Sequence, residues 1–402
     1  MYYSKKSKLM KKQKNSVWLT IVRILLASVF IFSGLAKVVD PVASGIKMDE
    51  YFISFGMGFM HPFSLILGIL MNIAEFTLGF MLLFRIRVKL TTLGYLLFMG
   101  FFFFLTAWLA IAEHLEVNYG YNFGVVKDCG CFGQAIAMSN LETFLKNVVL
   151  MIITLLVFAK RGAIPDIRLT PFGQWLFACL GGTIALLLQI YCLRNLPIVD
   201  FSDWKNCKNC SSLSELFVEK PAEKEILFLY KNEAGEEKLL SMNDFENITE
   251  TYPKFYEEYS YVDRVDSVIV EAVPPLKLGF SMLDSQGKDW ASIYLDAAKA
   301  QVYLLFLHDL DEVDERGIKS ENLQKLSREC LENDIDFVGI TNSPPDDIKR
   351  FIEKNSILFP IYYNPIDPIK GPFIVRDAIR SNPGLIVLKN GVVVEKRAWR
   401  NL

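Results

Sequence analysis

Five long apolar segments follow one another in the first half of the chain. A membrane-spanning helix needs roughly 20 mainly apolar residues, and each segment is close to that length. The segments are Val17–Ala36, Phe63–Phe84, Leu90–Ala112, Leu141–Phe158 and Trp175–Leu193. This pattern predicts an α-helical membrane bundle with five spans, of which the fourth is marginal in length.

The second half of the chain becomes charged and turn-rich near Pro197. A hairpin is predicted from Glu225–Tyr230 and Glu237–Leu240, which a turn at Gly235 separates. The other predicted elements are a buried strand at Val302–Leu307, a helix at Lys319–Asn333, strands at Asp336–Ile340 and Ile357–Tyr363, and a terminal hairpin of Gly384–Leu388 and Val392–Lys396 around Asn390-Gly391. Alternating strands and helices followed by a hairpin predict an α/β sheet with a mixed edge.

The composition agrees with a membrane bundle that carries a water-exposed part. Of the 402 residues, 52% are apolar and only 22% are charged, and the formal net charge is -2. A soluble protein is rarely so apolar, and a disordered or nucleic-acid-binding chain would carry a larger excess of one charge. The expected partner of the first half is therefore the lipid bilayer, and no nucleic-acid partner is expected.

Basic residues in the short loops indicate how the spans are oriented, because such residues collect on the cytoplasmic side. Twelve lie before the first span and in the loops after the second and fourth, against three in the opposite loops. The twelve are Lys5, Lys6, Lys8, Lys11, Lys12, Lys14, Arg85, Arg87, Lys89, Lys160, Arg161 and Arg168, and the three are Lys37, Lys47 and Lys127. The prediction is a bacterial inner-membrane protein with a cytoplasmic N-terminus and a periplasmic region after Leu193.

The start of the chain also fits a cleavable signal peptide. A Lys-rich tail precedes the apolar run Ile24–Leu35, and Gly34 and Ala36 are small residues of the kind found at cleavage sites. Cleavage would leave the remaining loops on the same sides of the membrane.

Several short motifs lie near the ends of the first four spans. They are Ser33-Gly34, Lys37, Asp40-Pro41, Glu75 with Gly79, and the hexapeptide Asp-Cys-Gly-Cys-Phe-Gly at 128–133. Together they resemble the DoxX-like membrane proteins and, within them, the methylamine-utilisation MauE group, over roughly residues 17–160. The resemblance implies a four-helix bundle associated with extracytoplasmic thiol redox chemistry.

The end of the chain carries motifs of a second kind. They are Phe280–Asp284 with Gly287, Val302–Leu307, and Ser381–Pro383. They resemble the opening hairpin, first core strand and cis-proline loop of the thioredoxin-like fold, in its peroxiredoxin and thiol-reductase form. That family places its active-site cysteines straight after the first core strand, where this chain has His308–Asp311. The resemblance therefore implies a cis Asn382-Pro383 bond and a central strand from Val302, without the active-site pair.

These inferences divide the chain into five parts. They are a cytoplasmic tail (1–16), a DoxX/MauE-like four-helix domain (17–160), a fifth span with linker (161–197), an extracytoplasmic connecting region with a hairpin (198–279), and a thioredoxin-like domain (280–402).

Cys129 and Cys131 lie in a loop predicted to face outward, where thiols are readily oxidised. The single Gly130 between them permits the tight turn of a small-ring disulfide, and such a strained bond would be easily reduced. The pair is therefore a candidate redox centre, in which a Cys131→Ser variant is expected to leave Cys129 as an unresolved attacker. A fixed structural clip and a metal site with further ligands are the alternatives.

Cys207 and Cys210 form a second pair with redox spacing, beyond the fifth span. They are a candidate relay for the first pair, or a structural disulfide, or half of a four-cysteine metal site. Cys179, Cys192 and Cys330 are predicted to be packing residues, because free cysteine behaves as a small apolar side chain.

Glu75 lies near the middle of the second span, where charge is expensive and marks function or pairing. It is predicted either to carry protons or contact a quinone, or to pair with Lys37. Arg23 and Lys146 are close enough to span ends to extend to the membrane surface. His114 is a weaker candidate for exchanging protons near the cysteine loop.

The sequence thus predicts an integral membrane protein of extracytoplasmic thiol–disulfide chemistry. It is a candidate oxidoreductase, with a membrane quinone as candidate cofactor, no metal, and a thiol or disulfide protein as partner. The alternatives are a non-catalytic envelope scaffold with structural disulfides and a partner subunit of a membrane oxidoreductase.

Overall fold

The computed structural model describes residues 16–402 apart from positions 122, 125, 127, 128, 137, 207–211, 278 and 367–372. The helices of its first half are α1 (Ser16–Val38), α2 (Pro41–Ser54), α3 (Ser64–Leu83), α4 (Val88–Tyr119), α5 (Asn140–Ala159) and α6 (Pro171–Arg194). All of them except α2 are long and apolar enough to cross a membrane, α3 with the 3-10 turn that precedes it. The prediction of five spans is confirmed, and the chain is a multi-pass membrane protein.

The helix α4 is longer than predicted, since it ends at Tyr119 rather than near Ala112. Its last two turns carry Glu113 and Glu116, so they lack the apolar composition by which a span is recognised. The helix ends where Gly120 takes a left-handed conformation (φ 71°), which glycine adopts readily. Apolar length therefore detected only the membrane-crossing part of α4.

The helix α2 was not predicted and fills the loop between the first two spans. Asp40 caps its N-terminus by accepting a hydrogen bond from the backbone N–H of Ala43 (3.1 Å). Pro41 takes the first helical position, where a missing N–H costs nothing. Because Tyr51 and Phe52 are buried, α2 packs against the bundle instead of projecting from it.

Glycines allow α1 and α3 to pack backbone against backbone. A Cβ at Gly34 would lie 2.9 Å from the Cα of Phe76, and a Cβ at Gly79 would lie 2.9 Å from the backbone N of Ile31. Small residues at such contacts are common between membrane helices, because close approach maximises packing where the hydrophobic effect is absent. The motif residues Gly34 and Gly79 thus set the distance between two spans.

Arg23 reaches the end of the neighbouring span α3, and its extension to the membrane surface stays a prediction. Its side chain is buried, and Nη1 donates to the carbonyl oxygens of Leu82 (2.5 Å) and Leu83 (2.6 Å). These carbonyls belong to the last turn of α3, where they have no partner within the helix. The guanidinium therefore caps α3 from within the bundle.

Residues 195–402 form an α/β region with two sheets. The strand β1 (Cys131–Gln134) lies earlier, between α4 and α5, and the smaller sheet consists of β2 (Glu223–Asn232), β3 (Glu237–Ser241) and β4 (Tyr259–Val270) in the order β3-β2-β4. The predicted hairpin is the β2–β3 pair and is confirmed. The strand β4 was not predicted, because it is exposed along most of its length and lacks the alternation of a half-buried strand.

The larger sheet is mixed and has the order β7-β6-β5-β8-β9. Its strands are β5 (Val302–Leu307), β6 (Asp336–Thr341), β7 (Ile361–Tyr363), β8 (Gly384–Lys389) and β9 (Val392–Ala398). The central strand β5 is parallel to β6 and antiparallel to β8. The central position of this strand, the terminal β8–β9 hairpin and the cis Asn382–Pro383 bond are all as predicted.

Short helices accompany the sheets. Those in the described residues are α7 (Leu213–Phe217), α8 (Met242–Thr251), α9 (Phe255–Glu258), α10 (Ala291–Tyr294), α11 (Glu315–Ile318), α12 (Glu321–Glu332), α13 (Pro345–Asn355) and α14 (Phe373–Ala378). The helix α12 confirms the one predicted at 319–333. The strand predicted from Ile357 begins only at Ile361, because the N–H of Ile357 still donates to Ile352 of α13 (3.2 Å).

The three cysteines predicted to be packing residues differ in their surroundings. Cys192 and Cys330 are buried, with 1% and 2% exposure, as predicted. Cys179 lies on the exposed face of α6, so the prediction is wrong for this residue. An apolar span has no polar face to mark its buried side, and the sequence could not place Cys179 for that reason.

The segment that follows α6 is anchored in the α/β region. Trp204 is 1% exposed, and its ring lies 5.0 to 5.3 Å from the rings of Phe217, Phe280 and Phe306. Asp200 accepts a hydrogen bond from Lys396 of β9 (2.5 Å). The chain therefore passes from the last span directly into the core of the α/β region.

We expect Gly34→Ala to destabilise the bundle, because the new Cβ must push the backbone of α3 away. Overpacking of this kind costs about 1–3 kcal/mol. Gly100→Ala in α4 is the matched control, since nothing lies within 4 Å of its Cβ position. The measurement is the temperature at which the detergent-solubilised protein loses its monodisperse peak in size-exclusion chromatography, and equal temperatures for the two variants would contradict the expectation.

Candidate functional site

The two cysteines of the hexapeptide lie side by side at the start of β1. Their Sγ atoms are 3.0 Å apart, within hydrogen-bonding distance, and each residue is a free thiol. Gly130 between them has a positive φ of 64°, and a Cβ there would come within 2.8 Å of the Lys47 side chain. Glycine is therefore needed at this position both for the turn and for the space.

Side chains from α1 and α2 hold the backbone of the cysteine pair by hydrogen bonds. Ser33 Oγ of α1 donates to the carbonyl oxygen of Cys131 (2.5 Å), and the Tyr51 hydroxyl of α2 donates to the carbonyl oxygen of Cys129 (3.2 Å). Since Ser33 and Tyr51 belong to different helices, the position of the thiols depends on how α1 and α2 pack.

The two thiols have different environments. Cys131 is half-buried, and the hydrogen bond from the Cys129 thiol lowers the pKa of Cys131 to about 6, helped by the cations of Lys146 and Lys37 against the effect of burial. Cys129 is buried, and the hydrogen bond with Cys131 together with burial raises the pKa of Cys129 well above its usual range. Near neutral pH, Cys131 is therefore a thiolate and Cys129 a thiol that stabilises it.

A buried ion pair lies beneath the thiols. Lys37 Nζ of α1 contacts Glu75 Oε2 of α3 at 2.6 Å, and the two side chains are only 5% and 6% exposed. A cavity of about 30 Å³ lies between this pair and Cys131 and is also lined by Lys146. That volume is about that of one water molecule. Its wall combines these polar groups with apolar side chains such as Phe98, so the ion pair and Cys131 line one small pocket of mixed polarity.

Lys146 of α5 lies beside the pair rather than extending away from it. Its Nζ is 4.3 Å from the centre of the Phe132 ring, in a cation–π contact. Phe132 follows Cys131 directly, so this contact holds a positive charge next to the thiolate. The extension of Lys146 to the membrane surface stays a prediction.

A cavity of about 570 Å³ separates the bundle from the α/β region, and the cysteine pair forms part of its wall. Lys37, Lys47 and Tyr51 line it from the bundle, and Trp204 and Lys277 line it from the α/β region. The thiols therefore lie on the wall of a partly open cavity between the two parts of the chain.

One arm of this cavity is apolar and follows the spans. Phe55, Met71, Phe101 and Leu105 line it, and Phe55 and Phe101 are 43% and 62% exposed. Because Phe101 lies in the middle of the membrane-crossing helix α4, this arm opens towards the lipid.

The structure brings only some of the predicted site residues together. Cys129, Cys131 and Glu75 lie within one site, and Glu75 is paired with Lys37, one of the two arrangements predicted for it. His114 is exposed, its ring nitrogen Nδ1 is hydrogen-bonded with the Asn118 side chain, and it does not line the cavity. The second cysteine pair, Cys207 and Cys210, lies outside the described residues, as do Lys127 and Asp128.

Three residues of the site were not singled out from the sequence. Tyr51 was overlooked because α2 was not predicted, and Trp204 because it lies in an irregular segment. Arg380, described below, comes from a distant part of the chain. Within the described residues, no group of three His, Cys, Asp or Glu side chains could hold a metal ion.

The region that contains this site has a counterpart among known protein families. The sequence model of the family described as methylamine utilisation protein MauE matches residues 15–160. This part of the chain is similar to MauE. The match includes α1 to α5, both thiols and the Lys37–Glu75 pair, and leaves α6 and the α/β region outside.

No curated protein and no solved structure matches the chain. The wider DoxX-like resemblance and the thioredoxin-like assignment of the α/β region therefore stay predictions, although the MauE-like region is matched.

We expect Cys131 to be alkylated by iodoacetamide with a rate that is half-maximal near its lowered pKa of about 6, rather than at the usual 9.0. The rate is followed by mass spectrometry of the Cys131 peptide across a pH series. Cys129→Ala removes the hydrogen bond that contributes most, so the midpoint should rise in this variant. Cys330, whose pKa burial raises, is the internal control, and a Cys131 midpoint near 9.0 would contradict the expectation.

Proposed function

We propose that the chain is a membrane-anchored thiol–disulfide oxidoreductase whose reacting pair is Cys129 and Cys131. The observation that carries the proposal is the asymmetry of the two thiols at 3.0 Å, one a stabilised thiolate and the other a buried thiol, on the wall of a cavity between the bundle and the α/β region. A purely structural pair has no need of neighbouring cations that favour the thiolate.

The first step follows from the difference in pKa. The Cys131 thiolate attacks one sulfur of a partner disulfide, the partner's S–S bond breaks, and a mixed disulfide forms while the second partner sulfur leaves as a thiolate. Cys131 is the attacking residue in this scheme, whereas the sequence alone suggested Cys129. The change follows from the hydrogen bond that Cys129 donates to Cys131 and from burial, which together disfavour the ionised form of Cys129.

The second step closes the pair. Cys129 attacks Cys131 Sγ in the mixed disulfide, forms the Cys129–Cys131 bond and releases the partner sulfur that Cys131 had attacked, which takes the proton from Cys129. The partner disulfide has gained two electrons and the pair has lost two. Run in reverse, the same steps oxidise a partner dithiol, so the geometry serves either direction of electron flow.

A membrane quinone is the proposed acceptor that would reoxidise the reduced pair. Two thiols and a quinone give a disulfide and a hydroquinone, since two electrons and two protons move to the quinone. The apolar arm that opens towards the lipid at Phe101 supports access for such a molecule. Glu75 remains the proposed carrier of protons, because it lines the same small pocket as Cys131.

Cys207 and Cys210 are a proposed relay between this pair and the partner. The residues Phe201 and Trp204, a few positions earlier in the chain, line the cavity that contains Cys131. This neighbourhood supports the relay without bearing on how the second pair itself is arranged.

The location proposed for the protein is the bacterial inner membrane, with the α/β region in the periplasm. The basic residues of the loops support this orientation. We also propose that the α/β region from residue 280 is a thioredoxin-like domain without its own cysteine pair, supported by its central strand β5 and by buried His308 at the position where that family has its cysteines.

The reacting pair is tested by trapping. Cys129→Ser keeps a hydroxyl that can donate to the Cys131 thiolate but cannot resolve a mixed disulfide. We expect a reductant-sensitive adduct of higher mass on non-reducing gels, about tenfold more abundant than in Cys131→Ser because the remaining thiol of that variant is mostly protonated. Cys330→Ser is the control and should trap nothing.

Two further outcomes of the same gels are informative. An adduct in Cys210→Ser would support the relay through the second pair. If Cys129→Ser yields no adduct while its amount in the membrane is normal, thiol exchange loses its support, and the alternative of a scaffold or partner subunit with structural cysteines is favoured.

The orientation is tested by reporters fused after Leu402. Alkaline phosphatase, which is active only outside the cytoplasm, should be active in this fusion, and a fluorescent protein that folds only in the cytoplasm should be dark. The same reporters inserted after Arg161, in a loop predicted to be cytoplasmic, should give the opposite pattern. A fluorescent fusion after Leu402 would show that the predicted orientation is wrong.

A further inference from the structure

A buried ion pair joins the α/β region to the membrane bundle. Arg380 Nε lies 3.1 Å from both carboxylate oxygens of Asp40, and Nη2 lies 3.0 Å from Asp40 Oδ2. The two side chains are only 3% and 4% exposed. This forked contact has the geometry in which guanidinium and carboxylate groups bind most specifically.

Asp40 and Arg380 are each held in place by further hydrogen bonds within their own part of the chain. Asp40 also caps α2 by accepting from the N–H of Ala43, and Arg380 Nη1 donates to the carbonyl oxygen of Arg376 (2.7 Å) and to Asp377 (3.2 Å). Burial alone would lower the pKa of Arg380, but the nearby carboxylates, Asp40 foremost, raise it. The guanidinium therefore stays charged and depends on Asp40 for compensation.

This contact differs from the ion pair that Arg376 of α14 makes four residues earlier in the chain. The neighbouring pair between Arg376 and Glu312 has side chains that are 26% and 67% exposed, so water screens it and its separation costs little. Pulling Arg380 away from Asp40 would remove the cation that compensates buried Asp40 and one of the carboxylates that compensate Arg380, which also binds Asp377, and this is unfavourable. The Arg380–Asp40 pair can thus hold the α/β region against the bundle. The two parts separate only when water solvates both charges at the same time.

The ion pair lies next to the thiol site. Asp40 is three residues after Lys37, whose side chain lines the cavity with Cys131. In the α/β region, Asp377 of α14 binds Arg380 and also lines the cavity. Ile374 of the same helix lines the cavity too. Displacing α14 from Asp40 would therefore remove part of the cavity wall opposite the cysteines.

We propose that Arg380 is a positioning residue that latches the α/β region over the cysteine pair through Asp40, so that large water-borne molecules reach Cys131 only after the latch opens. The position of the α/β region next to the cysteine pair is a property of the structure. That this position controls the access of partner molecules rests on the proposed function. In the latched state the cavity admits small molecules and, through its apolar arm, molecules dissolved in the lipid.

The test measures access to Cys131 in the full chain reconstituted in lipid nanodiscs, with the other cysteines replaced by Ser. A bulky, charged maleimide attached to a polyethylene glycol chain and the small N-ethylmaleimide are applied separately. Arg380→Met should raise the rate with the bulky reagent about tenfold and leave the rate with the small one within about twofold. Arg376→Met, which removes the exposed pair, is the matched control and should change neither rate.

A second variant distinguishes opening of the latch from unfolding of the Arg380→Met protein. Asp40→Asn together with Arg380→Gln removes both charges and keeps an oxygen that can cap α2, so no buried charge is left alone. This variant should show the same faster reaction with the bulky reagent while its melting temperature stays close to that of the parent. If the rates with the bulky reagent remain unchanged in both variants, the latch is overturned.

A third measurement decides the case in which the variants are misfolded. Asp40→Cys with Arg380→Cys, in a chain without other cysteines, should be joined by a short bismaleimide rather than by a direct disulfide, because the long Arg380 side chain holds the two backbones further apart than a disulfide can span. The crosslink is seen as a mobility shift that neither single-cysteine variant shows. Absence of the crosslink would overturn the docked arrangement itself. None of these readouts depends on thiol exchange, so they separate failure of the latch from failure of the proposed function, which the trapping experiment measures.

Discussion

The buried contact between Lys37 and Glu75 is the constraint on which the rest of the site depends. Either charge alone would be costly between membrane helices, and the pair is retained because each compensates the other at 2.6 Å. It joins α1 to α3 at the end where Gly34 and Gly79 already bring the two backbones together. The position of α1 is therefore fixed where Ser33 binds the loop that carries the cysteines.

The difference between the two thiols follows from this arrangement. Cys131 lines a small pocket together with Lys37 and Lys146, whereas Cys129 is buried and its carbonyl accepts from Tyr51. Cations next to one sulfur and burial of the other divide a single pair into a nucleophile and a proton-bearing partner. Neither cation belongs to the cysteine loop itself, so the chemistry of the loop is set by the helices around it.

The bundle and the α/β region meet through charges that water does not reach. Asp40 ends the turn after Lys37 and binds Arg380, more than three hundred residues further along the chain. The enclosure of the thiols thus depends on two buried ion pairs that lie three residues apart on the bundle. The MauE-like part of the membrane bundle and the α/β region contribute to the wall of one cavity beside this contact.

The sequence by itself determined the five spans, the predicted hairpins and the central strand β5, because long apolar runs and turn residues such as Asn390-Gly391 are local signals. It also selected Cys129, Cys131 and Glu75 from short motifs. It could not reveal α2, whose buried face is mixed in composition, or the capping role of Arg23. Which thiol is ionised, which residue neutralises Glu75 and where Arg380 binds were decided by the tertiary structure, since the free energy of a charge depends on neighbours that are distant in the chain.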